Sequence, residues 1–258
     1  VVAVYTSPKV HQSNLPGGNH LTAIHQRSSA ILSPLAEARQ LVLVTTADWE
    51  AVRGRVQYYK RAEANLPWQA AGDEAPVVVG RNGMAWGYGL HAPQRDAGPI
   101  KTEGDGKAPA GIFRLGHAFG YTPADQVGVI KFPYLQLTSA IECVDDARSV
   151  YYNQIVNRLQ ITAVDWNSSE QMARRDERYR WGVTIAHNAD PPVPKAGSCI
   201  FLHIWESALS GTSGCTAMEA ARIEELIGWL DPSASPLLAQ LPESEFKRLH
   251  QSWGLPSR

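Results

Sequence analysis

From Leu41 onward the chain is built of short β-branched or aromatic runs punctuated by Gly, Pro, Asn and Asp. The runs are LVLVTT (41–46), GRVQYYKR (54–61), APVVVGRNG (75–83), MAWGYGL (84–90) and AGIFRLG (110–116). Two more strand signals follow at WGVTIAHN (181–188) and SCIFLHIW (198–205), the second apolar on both faces and so expected to be central. This pattern predicts a mainly β fold, a sandwich or barrel with peripheral helices, and lacks the βα alternation of a Rossmann sheet. Helical spacing appears at Ala217–Leu230, where Met218, Ile223, Leu226, Ile227 and Leu230 form one stripe that Asp231-Pro232 stops. A second short helix is expected over Glu243–His250, and another over Ser28–Gln40, starting near Pro34. Residues 1–40 read as an N-terminal arm with that short helix, and 41–258 as one catalytic domain. The polar, Tyr- and Arg-rich stretch 149–180 is expected to be a helix-containing insertion.

Composition narrows the function classes. A hydrophobic fraction of 44% and a charged fraction of 19% are ordinary for a globular chain of 258 residues. The formal net charge is −1 and the basic residues are scattered, so there is no electrostatic footprint for nucleic acid. No apolar run approaches the roughly 18 residues that a membrane span needs. The chain opens at Val1 without a methionine, which is compatible with removal of an export signal. Its three cysteines, Cys143, Cys199 and Cys215, fit one disulfide plus one free thiol, and equally three reduced thiols. The Cys143–Cys199 pairing is favoured, because both lie in strand-like segments with no other chemistry around them.

Cys215 stands out by its surroundings. Thr216 followed by Glu219 has the form of a capping box, which would set Cys215 just before a helix N-terminus, where the dipole favours a thiolate. Gly214 leaves the backbone bare, so a carbonyl can approach and the N–H groups of Gly214 and Cys215 can face a developing oxyanion. A nucleophilic cysteine needs a base, and His203 lies near the end of the 198–205 strand, one loop before Cys215. By alternation His203 shares a face with Phe201 and Trp205. His187 ends the neighbouring strand signal and could line the same pocket, or be a polar strand terminus. A zinc site of His187, His203 and Cys215 lacks any helical i, i+4 pair or CxxC spacing. Gly104–Gly111 reads as a structural turn with a solvated Lys107. A cation near the cleft among Lys101, Lys107 and Arg114 would suit carboxylate-bearing substrates.

With these residues in view, the chain resembles the L,D-transpeptidase (YkuD-type) catalytic domains. The resemblance is carried by Lys101–Leu115 (KTEGDGKAPAGIFRL), Gly197–Trp205 (GSCIFLHIW) and Thr212–Met218 (TSGCTAM), and runs in element order from about residue 40 to 230. Ser213 stands where many members have His, and Thr216 and Ala217 follow the cysteine, so the chain is similar to a divergent TxGCxAM subgroup. The resemblance implies a β-sandwich, export to the periplasm or cell exterior, and action on peptidoglycan stem peptides without cofactor or metal. It implies Cys215 as nucleophile, His203 as base, and Ser213 and Gly214 as the oxyanion and substrate-positioning turn. A carboxypeptidase or endopeptidase of the same fold, and a non-catalytic wall-binding module, remain as alternatives.

Overall fold

The computed structural model describes residues 33–94 and 97–257. Fourteen strands and two α-helices are found among them. The strands are β1 (Gln40–Thr46), β2 (Arg53–Lys60), β3 (Gln69–Ala70), β4 (Ala75–Val78), β5 (Met84–Trp86), β6 (Ala108–Gly120) and β7 (Tyr134–Gln136). They continue as β8 (Ile141–Val144), β9 (Ile155–Asn157), β10 (Ser169–Gln171), β11 (Trp181–Ile185), β12 (Phe201–Ile204), β13 (Thr216–Met218) and β14 (Leu237–Pro242). The helices are α1 (Ala220–Trp229) and α2 (Glu243–Trp253).

The main sheet runs β1-β14-β6-β11-β12-β13-β4-β2, and β2 pairs back onto β1, so the sheet curls and closes on itself. Closure removes the free edges that an open sheet would leave. The pairing is antiparallel except for β1–β14 and β12–β13. Alternate residues of each strand then fill the enclosed core: Leu41, Leu43, Ile112, Leu202 and Met218 are all fully buried there. One polar pair crosses it. Thr216 donates to the Gln240 side-chain oxygen at 2.7 Å while the Gln240 amide donates to Pro109 O at 2.6 Å, so every buried polar end is matched. Outside the sheet, α1 packs its Ile223, Leu226 and Ile227 face against β11 and β12, and α2 lies on β1 and β14.

Three expectations about helices need correction. Residues 28–32 lie outside the described residues, and 34–37 form a turn, after which β1 begins at Gln40. Stretch 149–180 contains no α-helix among its residues. β9 and β10 flank β8 in a small antiparallel sheet, with single 3-10 turns at Arg158–Gln160 and Glu177–Tyr179. Asn157 and Asp176 cap those turns with their side chains, a role that short polar residues fill better than they fill helix interiors. Finally, Thr216 and Glu219 form no capping box, because Thr216–Met218 is a strand and α1 starts at Ala220. Thr216 is drawn into the sheet by its bond to Gln240, and Glu219 stands at the N-cap position with no side-chain cap bond. The helix expected over 243–250 forms and extends to Trp253.

Candidate active site

β12 presents two different faces. Leu202 and Ile204 point into the enclosed core, while Phe201 joins Cys199, Cys215 and Tyr179 in a second apolar cluster on the other face. His203 follows Phe201 by two residues and takes the same face, where its ring meets Tyr179 edge-on at 5.1 Å. β13 runs parallel to β12 with Leu202 opposite Thr216, which sets Cys215 level with Phe201. Two register steps along and one strand across put the Cys215 and His203 backbones about 8 Å apart on one face. That is within reach of a thiol and an imidazole turned toward each other.

The sulfur has defined neighbours. Phe201 N–H donates to Cys215 Sγ at 3.3 Å, and the thiol points its proton at Cys199 O, 3.6 Å away. Burial pushes the thiol up to about 12. The Glu170 charge adds to this, while the Phe201 N–H, Lys101 and the Tyr179 hydroxyl pull the other way. With α1 starting five residues downstream, no helix terminus bears on the sulfur, so the expected dipole activation is absent and the resting group is a thiol. His203 Nδ1 lies 2.8 Å from Ile204 O, a pure acceptor, so Nδ1 carries the proton and Nε2 keeps its lone pair. Burial lowers the imidazole to about 4.

The turn before Cys215 is fixed by Thr212. Its hydroxyl donates to Cys215 O at 2.6 Å and accepts from Gly214 N–H at 3.1 Å. The Gly214 N–H is therefore already engaged and does not stand free as an oxyanion donor. Glycine is required there: φ is 153°, and a Cβ would meet Lys107 O at 3.2 Å. Ser213 accepts from Arg81 at 3.1 Å on the rim.

Cys215, His203, Ser213 and Gly214 all line one cavity of about 410 Å³, a volume suited to a small ligand. Its walls carry both charges. Lys101 is buried and paired with Asp105 at 2.6 Å, and Asp105 also accepts from Thr102 N–H and Lys107 N–H, so this carboxylate organises the 101–107 turn. Lys107 reaches Asn82 O, and Arg114 is exposed outside the cavity. His187 does not join the site. It is 1% exposed, accepts from Tyr88 N–H through Nδ1 and donates to Ala196 O through Nε2, the bonding of a satisfied core histidine.

Sequence reasoning missed the opposite wall. Glu170 and Arg174, with Tyr179, come from the small sheet and its following turn, and Tyr179 donates to Glu170 at 2.5 Å. Nothing local in the sequence marks these residues, because their meeting depends on how β10 folds back. Cys143 on β8 and Cys199 beside β12 are joined by a disulfide with Cα atoms 5.9 Å apart, tying that wall to the cysteine's strand. Cys215 is the free thiol.

No group of side chains suited to a metal ion is present among the described residues, and no described helix is long and apolar enough to cross a membrane. Comparison with curated proteins and with solved structures gives no match. The family model of the YkuD L,D-transpeptidase catalytic domain matches residues 55–237, more than two thirds of the chain and the whole of the cavity just described. The chain belongs to the YkuD family of L,D-transpeptidase catalytic domains.

Proposed function

We propose that this protein is an exported cysteine acyltransferase that crosslinks peptidoglycan stem peptides through a thioester on Cys215. The observation that carries the reading is the tautomer of His203. With Nδ1–H held by Ile204 O, the free Nε2 lone pair is the imidazole's open proton acceptor in the cavity that Cys215 lines. The Cys143–Cys199 disulfide supports export to an oxidising compartment.

The thiol proton passes to His203 Nε2 as Sγ attacks the carbonyl of the L-centre of the diamino acid in a tetrapeptide stem. The Cys215 N–H faces the oxyanion, and the Ser213–Gly214 turn shapes the rim against which the peptide lies. Collapse breaks the peptide bond, and the departing D-alanine takes the proton from His203. An amine of a second stem then attacks the thioester and gives its proton to His203, which returns it to the leaving sulfur. His203 thus acts as base and acid in turn, and no cofactor is called on.

Incubation with a purified disaccharide tetrapeptide, followed by mass analysis of the products, tests the reading. Release of D-alanine together with a crosslinked dimer is expected, and neither should form with Cys215→Ala. Tripeptide and D-alanine without dimer would make the protein a carboxypeptidase. Turnover unaffected by Cys215→Ala would remove the mechanism altogether.

A further inference from the structure

Four lysine and arginine side chains line the cavity, and three of them are already engaged with acids. Lys101 pairs with Asp105 at 2.6 Å, Arg174 with Asp176 at 2.9 Å, and Arg178 with Asp176 at 3.2 Å and with Glu206 at 3.3 Å. Arg81 is the fourth. Among the described residues it has no carboxylate partner, and its guanidinium donates only to the neutral Ser213 hydroxyl, at 3.1 Å. We propose that Arg81 is the carboxylate anchor of this cavity and holds the terminal D-alanine carboxylate of the donor stem beside the bond that Cys215 attacks. The inference rests on the donor proposed above and adds the residue that selects it.

The backbone under Arg81 is tied to the turn that carries the cysteine. Arg81 N–H donates to Thr212 O at 2.8 Å, Thr212 N–H donates to Val79 O at 2.9 Å, and Gly80 forms a bridge with Thr212. The side chain then passes over Gly106, where φ is 68° and a Cβ would stand 3.2 Å from Arg81 Nε, so only a bare residue leaves it that path. It ends at Ser213, two residues before Cys215 and so at most about 7 Å away along the backbone. The donor fits that interval. One nitrogen and one α-carbon separate its scissile carbonyl from the D-alanine carboxylate, about 3–4 Å, and an arginine–carboxylate contact adds about 2.8 Å. Guanidinium also presents a fork of donors that matches a carboxylate, most of which the Ser213 bond leaves open. On the small-sheet side, the carboxyl groups of Asp145 and Glu170 line the same cavity and turn an anion toward Arg81. The cations that the sequence offered for this task are taken or misplaced: Lys101 by Asp105, Lys107 by Asn82 O, and Arg114 outside the cavity.

The test is calorimetric titration of the Cys215→Ala protein, which can bind a stem without acylation. Three ligands are compared: a disaccharide tetrapeptide whose diamino acid bears a side-chain carboxylate, the same ligand amidated at the terminal D-alanine, and the same ligand amidated at that side chain. Amidation of D-alanine should weaken binding about tenfold, the usual worth of a charge-assisted hydrogen bond at a wet rim, and amidation of the side chain by less than about twofold. In Cys215→Ala/Arg81→Gln the free acid and the D-alanine amide should bind within about twofold of each other. Cys215→Ala/Arg81→Lys, which keeps the charge but not the fork, should retain part of the preference. Because Arg81 is exposed, neither change disturbs the core, and the ratio between two ligands on one protein is insensitive to a general loosening of the turn. A D-alanine preference that survives Arg81→Gln overturns the proposal, as does a penalty that follows the side-chain carboxylate instead, or binding by none of the three ligands. If the ratios behave as expected but the protein with Cys215 intact releases no D-alanine, the proposed reaction fails while the anchor stands.

Discussion

Cys215 and His203 line one cavity as neutral groups. Burial holds the thiol near 12 and the imidazole near 4, so at pH 7 the resting pair is thiol and imidazole, with no preformed ion pair. Alkylation of Cys215 should therefore climb steadily from pH 6 to 10; a plateau reached near neutrality would contradict the assignment. His203→Ala should lower turnover about 10²- to 10⁴-fold, the usual worth of a positioned proton-transfer group, with a much smaller effect on KM in steady-state assays. That Cys215 and His203 share a cavity was legible in the sequence, because the Gly-Cys step and strand alternation are local signals. The strand at Thr216 was not, since Thr216 and Glu219 have the spacing of a capping box and only pairing with Leu202 of β12 makes Thr216 a strand residue. Tyr179 and Glu170 carry no local signal at all.

β12 works because its two faces do different things. Leu202, fully buried beneath the site, holds the strand against the core, and Leu202→Ala should cost about 2–5 kcal/mol in denaturant unfolding. The opposite face depends on the small β8–β10 sheet, which the Cys143–Cys199 bridge fastens to Cys199 beside β12. The bridge closes a loop over a separation of 56 residues, so Cys143→Ser/Cys199→Ser should lose about 4 kcal/mol of stability by loop entropy, read as a lower melting temperature. Most strands were readable from their alternation, whereas the 149–180 segment was not. Its tyrosines and arginines pair across turns, as Arg158 over Trp166 and Arg174 over Tyr179 do, and such contacts leave no periodic trace.

At the scale of the fold, three imidazoles among the described residues are buried neutral: His91, His187 and His203, each lowered by burial to about 4. Protons then favour the unfolded chain, whose histidines titrate near 6.5. Stability is full above that pH, falls as pH drops toward 4, and levels off below it, by about 3 kcal/mol for each imidazole. Melting temperatures measured between pH 8 and 4 should show that decline; a flat profile would mean the histidines are reached by solvent. Closure of the sheet, with Thr216 and Gln240 joined inside it, could not be read from one sequence, because β1 pairs with β14 across nearly 200 residues. What closure secures is the fixed register between His203 and Cys215 on which the proposed chemistry depends. The most direct measurement is intact-protein mass after mixing with a tetrapeptide stem in the absence of an acceptor. The account predicts an added mass equal to the stem less D-alanine, present on the unmodified protein and missing from Cys215→Ala; an unchanged mass in both, or an adduct that persists without the cysteine, would contradict it.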